Sequence, residues 1–594
     1  MNELPNHKPG FWNRVWNDPL HFCSYLMLLS ILGLIIIGLL SDHLGHQSAG
    51  VRHDAVIVSI ILGLGVVTGF AGMVLSLIPP VRRLLTRLLA RRIFWLACVI
   101  TFIFLLYAEE DWRGWHALKQ YEQQGGARGV KFGLAEVVPP AVPDDQNFAL
   151  TPIVSSSYAS MLDKHGHELN PRDTNVVNRL YMRGWAEERL APSPNSGGWM
   201  DQKITDLKSW QDYYRALAAK TNQFAIPPQP GSPAADVLLA LGKYNADIEE
   251  LRQASRLPAS RFPLTYDRDE PAGILLPHLA PLKITTLMLR LRACAELQNN
   301  QADQALADVK LMLYLNGAIR TEPFLITHLV RIAMLDISLQ PIYEGLAAHL
   351  WSEAQLNALD SELARQDFLA DYQTAMQGEL DFDVTEIEYM RRNRDFGALD
   401  YSEDGQLQPS SSEIGLQLYP SGFFYQNELQ LARMQLEYVL PVVDMNKRIL
   451  SPATVRQNNE AITDELRQYS YNGALARMAL PAVFNSVKRF TRAQAHLDLA
   501  RVAIALERFR LAHGEFPDSL DVLAPQFLDP IPHDVINGQP LHYRRTNDGQ
   551  FVLYSVGWNE TDDGGVVGHR KEKKGRDESP DMEEGDWVWE YPAK

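Results

Sequence analysis

Three long apolar runs near the start of this 594-residue chain restrict what it can fold into: Phe22 to Leu40, Ala55 to Ile78 and Ile93 to Ala108. None of them holds a charged side chain. An apolar helix of about 20 residues spans the hydrocarbon of a bilayer. In lipid every backbone N–H and C=O must find its partner within the segment. The third run is short, but Arg91, Arg92, Glu109 and Glu110 flank it and can snorkel to the headgroups. Charge-free runs of this length fit the core hairpin of a soluble protein poorly. The first is also long for a cleavable signal peptide and is followed by a second span. The expectation is three transmembrane helices.

Arginine placement orients them. Arg82, Arg83, Arg87, Arg91 and Arg92 fall between the second and third runs, in what reads as a loop. The Ser41–Asp54 connection has only Arg52 against Asp42 and Asp54. The positive-inside bias therefore places the arginine loop and the N-terminus in the cytoplasm and everything after Ala108 outside. The whole chain carries −16, while residues 1–107 hold four more basic than acidic side chains, so the exported part is strongly acidic. That balance argues against nucleic acid and anionic lipid as main partners. Of the three cysteines, Cys23 and Cys98 lie in the apolar runs, leaving Cys294 alone outside, so the exported part can form no intrachain disulfide.

After the third run, Trp112 and Trp115 suit an interfacial anchor. A stalk helix should continue through Glu122 and break at Gly125-Gly126. Pro139, Pro140 and Pro143 favour an extended spacer, and Asp144-Asp145 a turn. Residues ~200–395 read as helical. Small residues flank Asn299-Asn300-Gln301, which suggests a helical hairpin, with a true repeat array as the alternative. Thr321 to Leu350 reads as a central core helix, with Pro341 kinking it or ending its first part. Ser352 to Gln355 is a capping box, and Ser451-Pro452 opens another helix. Asp395 to Glu413 is a polar loop, and the apolar Ile414 to Tyr425 follows it. Ala482 to Ala512 is a long amphipathic helix ended by His513-Gly514. Two strand patterns follow, Pro540–Arg545 and Gln550–Val556, joined through Asn547-Asp548-Gly549.

Here the residues carry a resemblance. Ala503-x-Ala505-Leu506-Glu507, His513-Gly514-x-Phe516-Pro517, Ile531-Pro532-x-Asp534, Pro540-Leu541-x-Tyr543 and Leu553-Tyr554-Ser555-Val556-Gly557 resemble the C-terminal half of the major pseudopilin of type II secretion, over about 495–590. The module has no leader-peptidase site and no apolar pilin helix before it, so the resemblance implies a borrowed fold rather than a polymerising pilin. It also implies a calcium-clamped C-terminal loop. The matching positions are Asn559, where the family has an acidic residue, with Asp562, Asp563 and Asp586. The basic stretch His569–Lys574 interrupts that loop. Further upstream, the VPDDQNFA segment at 142–149 resembles a group of uncharacterised bacterial multi-span membrane proteins.

The expected fold class is therefore a membrane-anchored, mainly α protein with three transmembrane helices, a large helical exported domain and a small α+β pseudopilin-like C-terminal module. The expected boundaries are 1–108 for the membrane domain, 109–152 for the stalk and Pro-rich linker, 153–480 for the helical domain and 481–594 for the module. The compartment implied is a bacterial inner membrane with a periplasmic C-terminal part. Zinc-protease, phosphate-loop, nucleophile-elbow and dinucleotide motifs are absent from the sequence. Glu379, Asp381, Asp383, Glu386 and Glu388 could hold a general acid and base, but Glu379, Asp383 and Glu386 share one helical face, so a solvated face is the expected reading. His165 and His167 read as a surface loop rather than a metal site, His328 as a core histidine with one hydrogen bond, and Cys294 as a buried thiol. The favoured role is a non-enzymatic envelope scaffold whose partners are the lipid bilayer and envelope or secretion proteins. The rivals are an accessory part of a type II secretion or pilus-like machine and an envelope hydrolase assembled from distant segments.

Overall fold

A computed structural model describes residues 21–32, 66–67, 70–71, 73–75, 77–127, 129–186, 194, 197–266, 270–394, 419–468, 472–570 and 579–592. The chain divides into two compact units, Met1–His116 with Arg394–Phe423, and Ala117–Asn393 with Phe424–Lys594. Among the described residues the structure is mainly helical, with small sheets.

In the first unit the first apolar run is helical over His21–Leu32. The rest of that run, most of the second, and the polar loop Asp395–Glu413 lie outside the described residues. The expected arginine loop is not a loop. Residues 82–92 belong to α1, Pro79–Gly126, which also contains the third apolar run. Pro79 and Pro80 stand at its start, where a missing N–H breaks no helical bond. Phe94, Phe104 and Leu105 of the third run are 63%, 71% and 64% exposed. The helix ends at Gly126, as the paired glycines predict.

The second unit is built on helices: α2 Leu207–Ala218, α3 Pro233–Leu241, α4 Asn245–Ala254, α5 Leu279–Gln298, α6 Ala302–Gly317, α7 Leu325–Ala347, α8 Glu353–Leu363 and α9 Phe368–Asn393. α10 Ser421–Met434, α11 Pro452–Gln468 and α12 Ala474–His513 follow. The α5–α6 turn passes through Asn300 at φ 57°, a left-handed position that asparagine tolerates. α7 is the core helix and packs against α5, α6, α9 and α12. Among the described residues it is the one helix long and apolar enough to cross a membrane, and 72% of that window is buried in protein. It runs on through Pro341 to Ala347. Gly378 of α9 lies so close to the Pro323 backbone that no Cβ fits there. The capping box forms in both directions: Gln355 N–H donates to Ser352 Oγ at 3.4 Å, and Ser352 N–H to Gln355 Oε1 at 2.9 Å.

The segment after the prolines enters the core instead of serving as a free spacer. Phe148, Ala149 and Ile153 are fully buried, and Asn147 binds the Arg261 backbone from both ends of its amide, at 2.8 Å each way.

Strands gather after α12. Before it the described residues hold only the two-residue pair β1 Val443–Asp444 and β2 Ile449–Leu450. Gly514, at φ 89°, caps α12 and donates to Arg510 O at 2.7 Å. β3 His542–Arg545, β4 Phe551–Ser555 and β7 Trp587–Glu590 form an antiparallel sheet in the order β3-β4-β7. β5 Val567–Arg570 pairs with β6 Ser579–Gly585. Arg545 faces Phe551 across the Asn-Asp-Gly turn, and Leu553 faces Trp589, so the tail folds back onto the sheet as the tryptophans predict.

Candidate functional site

The loop after β4 is shaped by carboxylates reading backbone N–H groups. At its entry, fully buried Asp534 accepts from Ser555 Oγ at 2.8 Å and from the N–H of Val556 at 3.0 Å and Ile536 at 2.9 Å, which fixes where the strand stops. Asp562 accepts from the Tyr554 hydroxyl and the Gly564 N–H, both at 2.9 Å. The Gly564 bond, then that of Tyr554, holds its pKa below the ordinary carboxylate value. Asn559 Nδ2 donates to Asp563 at 2.8 Å. Asp586, 1% exposed, accepts the Gly565 N–H at 2.7 Å and the Asp563 N–H at 3.3 Å. Burial, followed by the charges of Asp563 and Asp562, raises its pKa against those two hydrogen bonds.

The structure thus brings Asn559, Asp562, Asp563 and Asp586 into one loop across more than twenty positions of chain. The donor chemistry suits a hard cation such as calcium, and each carboxylate oxygen keeps a lone pair beyond the N–H it accepts. The arrangement is nonetheless closed by its own hydrogen bonds. Among the described residues no group of three or more His, Cys, Asp or Glu side chains stands ready to hold a metal.

Beside this loop opens a cleft of about 490 Å³, lined by Arg456, Asn459, Lys488, Trp558, Asn559 and Glu583 among others. Lys488 Nζ stands 5.3 Å from the Trp558 ring centre and pairs with Glu583. Arg456 pairs with Glu560. Both cations are thereby paired, and the rest of the lining is amides, apolar side chains, the Trp558 indole and the exposed carboxylate of Glu584. Sequence reading missed Arg456 and Lys488, because α11 and α12 supply them from some hundred residues upstream of the loop.

Of the α9 carboxylates, Glu388 keeps to the solvated reading, its side chain 40% exposed and paired with Arg392, while the others overturn it. Asp381 is fully buried and Glu386 6% exposed. Asp381 accepts the Gly133 N–H at 2.9 Å and Gln377 Nε2 at 3.1 Å, and burial raises its pKa to about 6. Asp383 accepts from Gln435 Nε2 at 3.0 Å, and Glu386 from the Ala272 N–H at 3.0 Å. Burial raises the pKa of Glu379 and Asp383. These side chains anchor neighbouring segments to α9.

The remaining candidates sit as their residue types suggest. His165 and His167 are exposed, and His167 pairs with Asp163 at 3.2 Å. His328 is buried with its Nε2 3.0 Å from Glu322 O, and burial pushes its pKa down to about 3. Cys294 is fully buried, which pushes its thiol pKa well up. Comparison of the chain with protein-family models, curated proteins and solved structures finds no match.

Proposed function

We propose that this is a membrane-anchored bacterial cell-envelope protein that acts as a non-enzymatic binding or assembly scaffold, with its large C-terminal part in the periplasm. One observation carries the reading: the apolar band Phe94 to Leu106 of α1 stands exposed next to Arg91 and Arg92. The whole uncharged run Ile93 to Ala108 is sixteen residues, about 24 Å of helix, close to the hydrocarbon thickness once flanking charges snorkel. The arginines favour the cytoplasmic side for its N-terminal end. The helix–loop–sheet order after Ala474 supports the pseudopilin-like reading of the last module. The cleft beside Trp558, whose two cations are already paired, supports binding over turnover. Alkaline phosphatase fused after Gly126 is expected to be active, and fused after Arg92 inactive. The reverse pattern would overturn the anchoring and the compartment together.

A second, narrower proposal is that calcium binds at Asn559, Asp562, Asp563 and Asp586. Three carboxylates gather there, and burial followed by the charges of Asp563 and Asp562 raises the pKa of Asp586, which a cation would relieve.

A further inference from the structure

We propose that the cleft against Pro139-Pro140 is a binding site for a small organic anion, a carboxylate or phosphate carried on an apolar body. The cleft encloses about 460 Å³, within the range of small-molecule sites. Pro139, Pro140, Pro258, Tyr314 and Ala318 contribute apolar surface to its walls. Its charged lining is three guanidinium groups, Arg261, Arg320 and Arg365, against one carboxylate, Glu362. Ser260 Oγ and Arg261 Nε are buried and find no hydrogen-bond partner among the described residues. Arg320 is exposed and has no ion pair among the described residues. Among the described residues Arg365 pairs with Glu362, at 2.9 Å, and its side chain is 69% exposed.

Local structure explains why these groups are held ready. Asn147 grips the N–H and the carbonyl of Arg261, so the backbone beneath the guanidinium is fixed while the guanidinium itself makes no hydrogen bond to a described residue. Buried polar groups in native proteins are generally partnered. Ser260 Oγ and Arg261 Nε have almost no accessible surface, so the donors an anion meets in the cleft are the terminal nitrogens of Arg261 together with Arg320 and Arg365. Guanidinium groups favour planar oxyanions, which they bind in fork geometry. In a chain of net charge −16, three arginines on one small apolar lobe are not a generic surface. A neighbouring lobe of about 510 Å³ shares Arg320 and Arg365 and adds Arg331. Arg331 is already committed to Asp371, Asn316 and Gln366, so the lobe with Arg261 is the one with free donors.

The test is calorimetric titration of the full chain in detergent with four probes: phenylacetate, phenyl phosphate, phenylacetamide and inorganic phosphate. Saturable binding of phenylacetate or phenyl phosphate is expected, and which one binds tells carboxylate from phosphate. Phenylacetamide should bind at least about tenfold more weakly, the loss of one charge-assisted hydrogen bond. Arg320→Gln, at an exposed position, should weaken the anion by a similar factor without moving the melting temperature, and Arg261→Gln should weaken it further. The proposal fails if neither aromatic anion binds at millimolar concentration, if the neutral amide binds equally well, or if both arginine variants bind as the parent does. Inorganic phosphate binding as tightly as phenyl phosphate would overturn the apolar body.

Discussion

Two carboxylate groups look alike in the sequence and behave oppositely in the structure. On α9, Glu379, Asp381, Asp383 and Glu386 are packed among neighbours, and their anchors come from distant chain: Gly133, Gln435 and Ala272. In the C-terminal loop, Asp562 and Asp563 are exposed, and apart from the Tyr554 hydroxyl the hydrogen bonds there come from the loop itself: Gly564 N–H and Asn559. The acidic residues alone do not distinguish the two cases; the source of the donor does. A carboxylate served by N–H groups a few positions away stays near water and keeps its charge. One served from fifty residues away or more is roofed by what serves it, and its proton affinity rises.

The largest expected effect lies on the buried side. Arg331, 1% exposed, pairs with Asp371, whose pKa burial raises. Arg331→Leu would strand that carboxylate, and removing one partner of a buried pair costs about 3–5 kcal/mol. Urea unfolding of the full chain in detergent, followed by tryptophan fluorescence, should show a loss of this size. A loss no larger than that of a surface variant would break the comparison at its strongest point.

Next comes the pH dependence. Burial raises Asp381 to about 6 and Glu428 to about 8, and for Glu428 the charges of Glu122 and Glu388 add to it. A raised carboxylate pKa means that the folded state holds protons the unfolded chain has released. Stability then falls as pH rises from the unfolded value, near 4, through the folded one. For Asp381 the fall should be complete just above pH 6, and for Glu428 above pH 8. The combined loss is of order 1–3 kcal/mol after allowance for relaxation. Unfolding at pH 5, 6.5 and 8 should show it, and Glu428→Gln should flatten the upper part of the profile. The exposed loop works the other way: the depressed Asp562 contributes stability that is lost only as pH falls below about 4, the ordinary carboxylate value.

Much of the fold was legible because its signals are local. The Ser352 capping box, the Asn299–Gln301 turn, the Gly514 cap and the Asn547–Gly549 hairpin each need only a few adjacent residues. The core helix was legible from its composition. What failed depends on contacts the sequence does not display. The arginines at 82–92 contain no breaker, and reading them as a loop gave the spacing of the apolar runs more weight than local helix propensity. The polar face of α9 was read as solvated because nothing in its own heptads shows that Gly133 and the Gln435–Val439 π-turn cover it. In the candidate site the loop residues were legible in sequence order, whereas the cleft beside them, with Arg456 and Lys488, was not.

The loop side of the comparison can be sharpened by Asp534→Ala. This removes three hydrogen bonds from a fully buried carboxylate and leaves the N–H groups of Val556 and Ile536 without their acceptor. A loss of about 2 kcal/mol is expected in the same urea assay. It should exceed that of Asp563→Ala, whose side chain is exposed and receives one amide bond.

The smallest expected effect is that of calcium. If an ion sits among Asn559, Asp562, Asp563 and Asp586, it binds the folded state alone. At about tenfold excess over its Kd it then adds RT ln(1 + [L]/Kd), about 1.4 kcal/mol. The melting temperature of the full chain should rise with millimolar calcium and fall back with chelator, and Asp563→Ala should reduce the rise. Sodium at equal ionic strength separates binding from screening, because exposed Asp562 and Asp563 repel each other less in any salt. A rise produced equally by sodium, or none at all, would mean that the Gly564, Gly565 and Asp563 N–H groups already supply the positive charge the loop needs. The contrast with α9 would then be complete: two acidic groups, one relieved by protons and the other by backbone dipoles, neither by a metal.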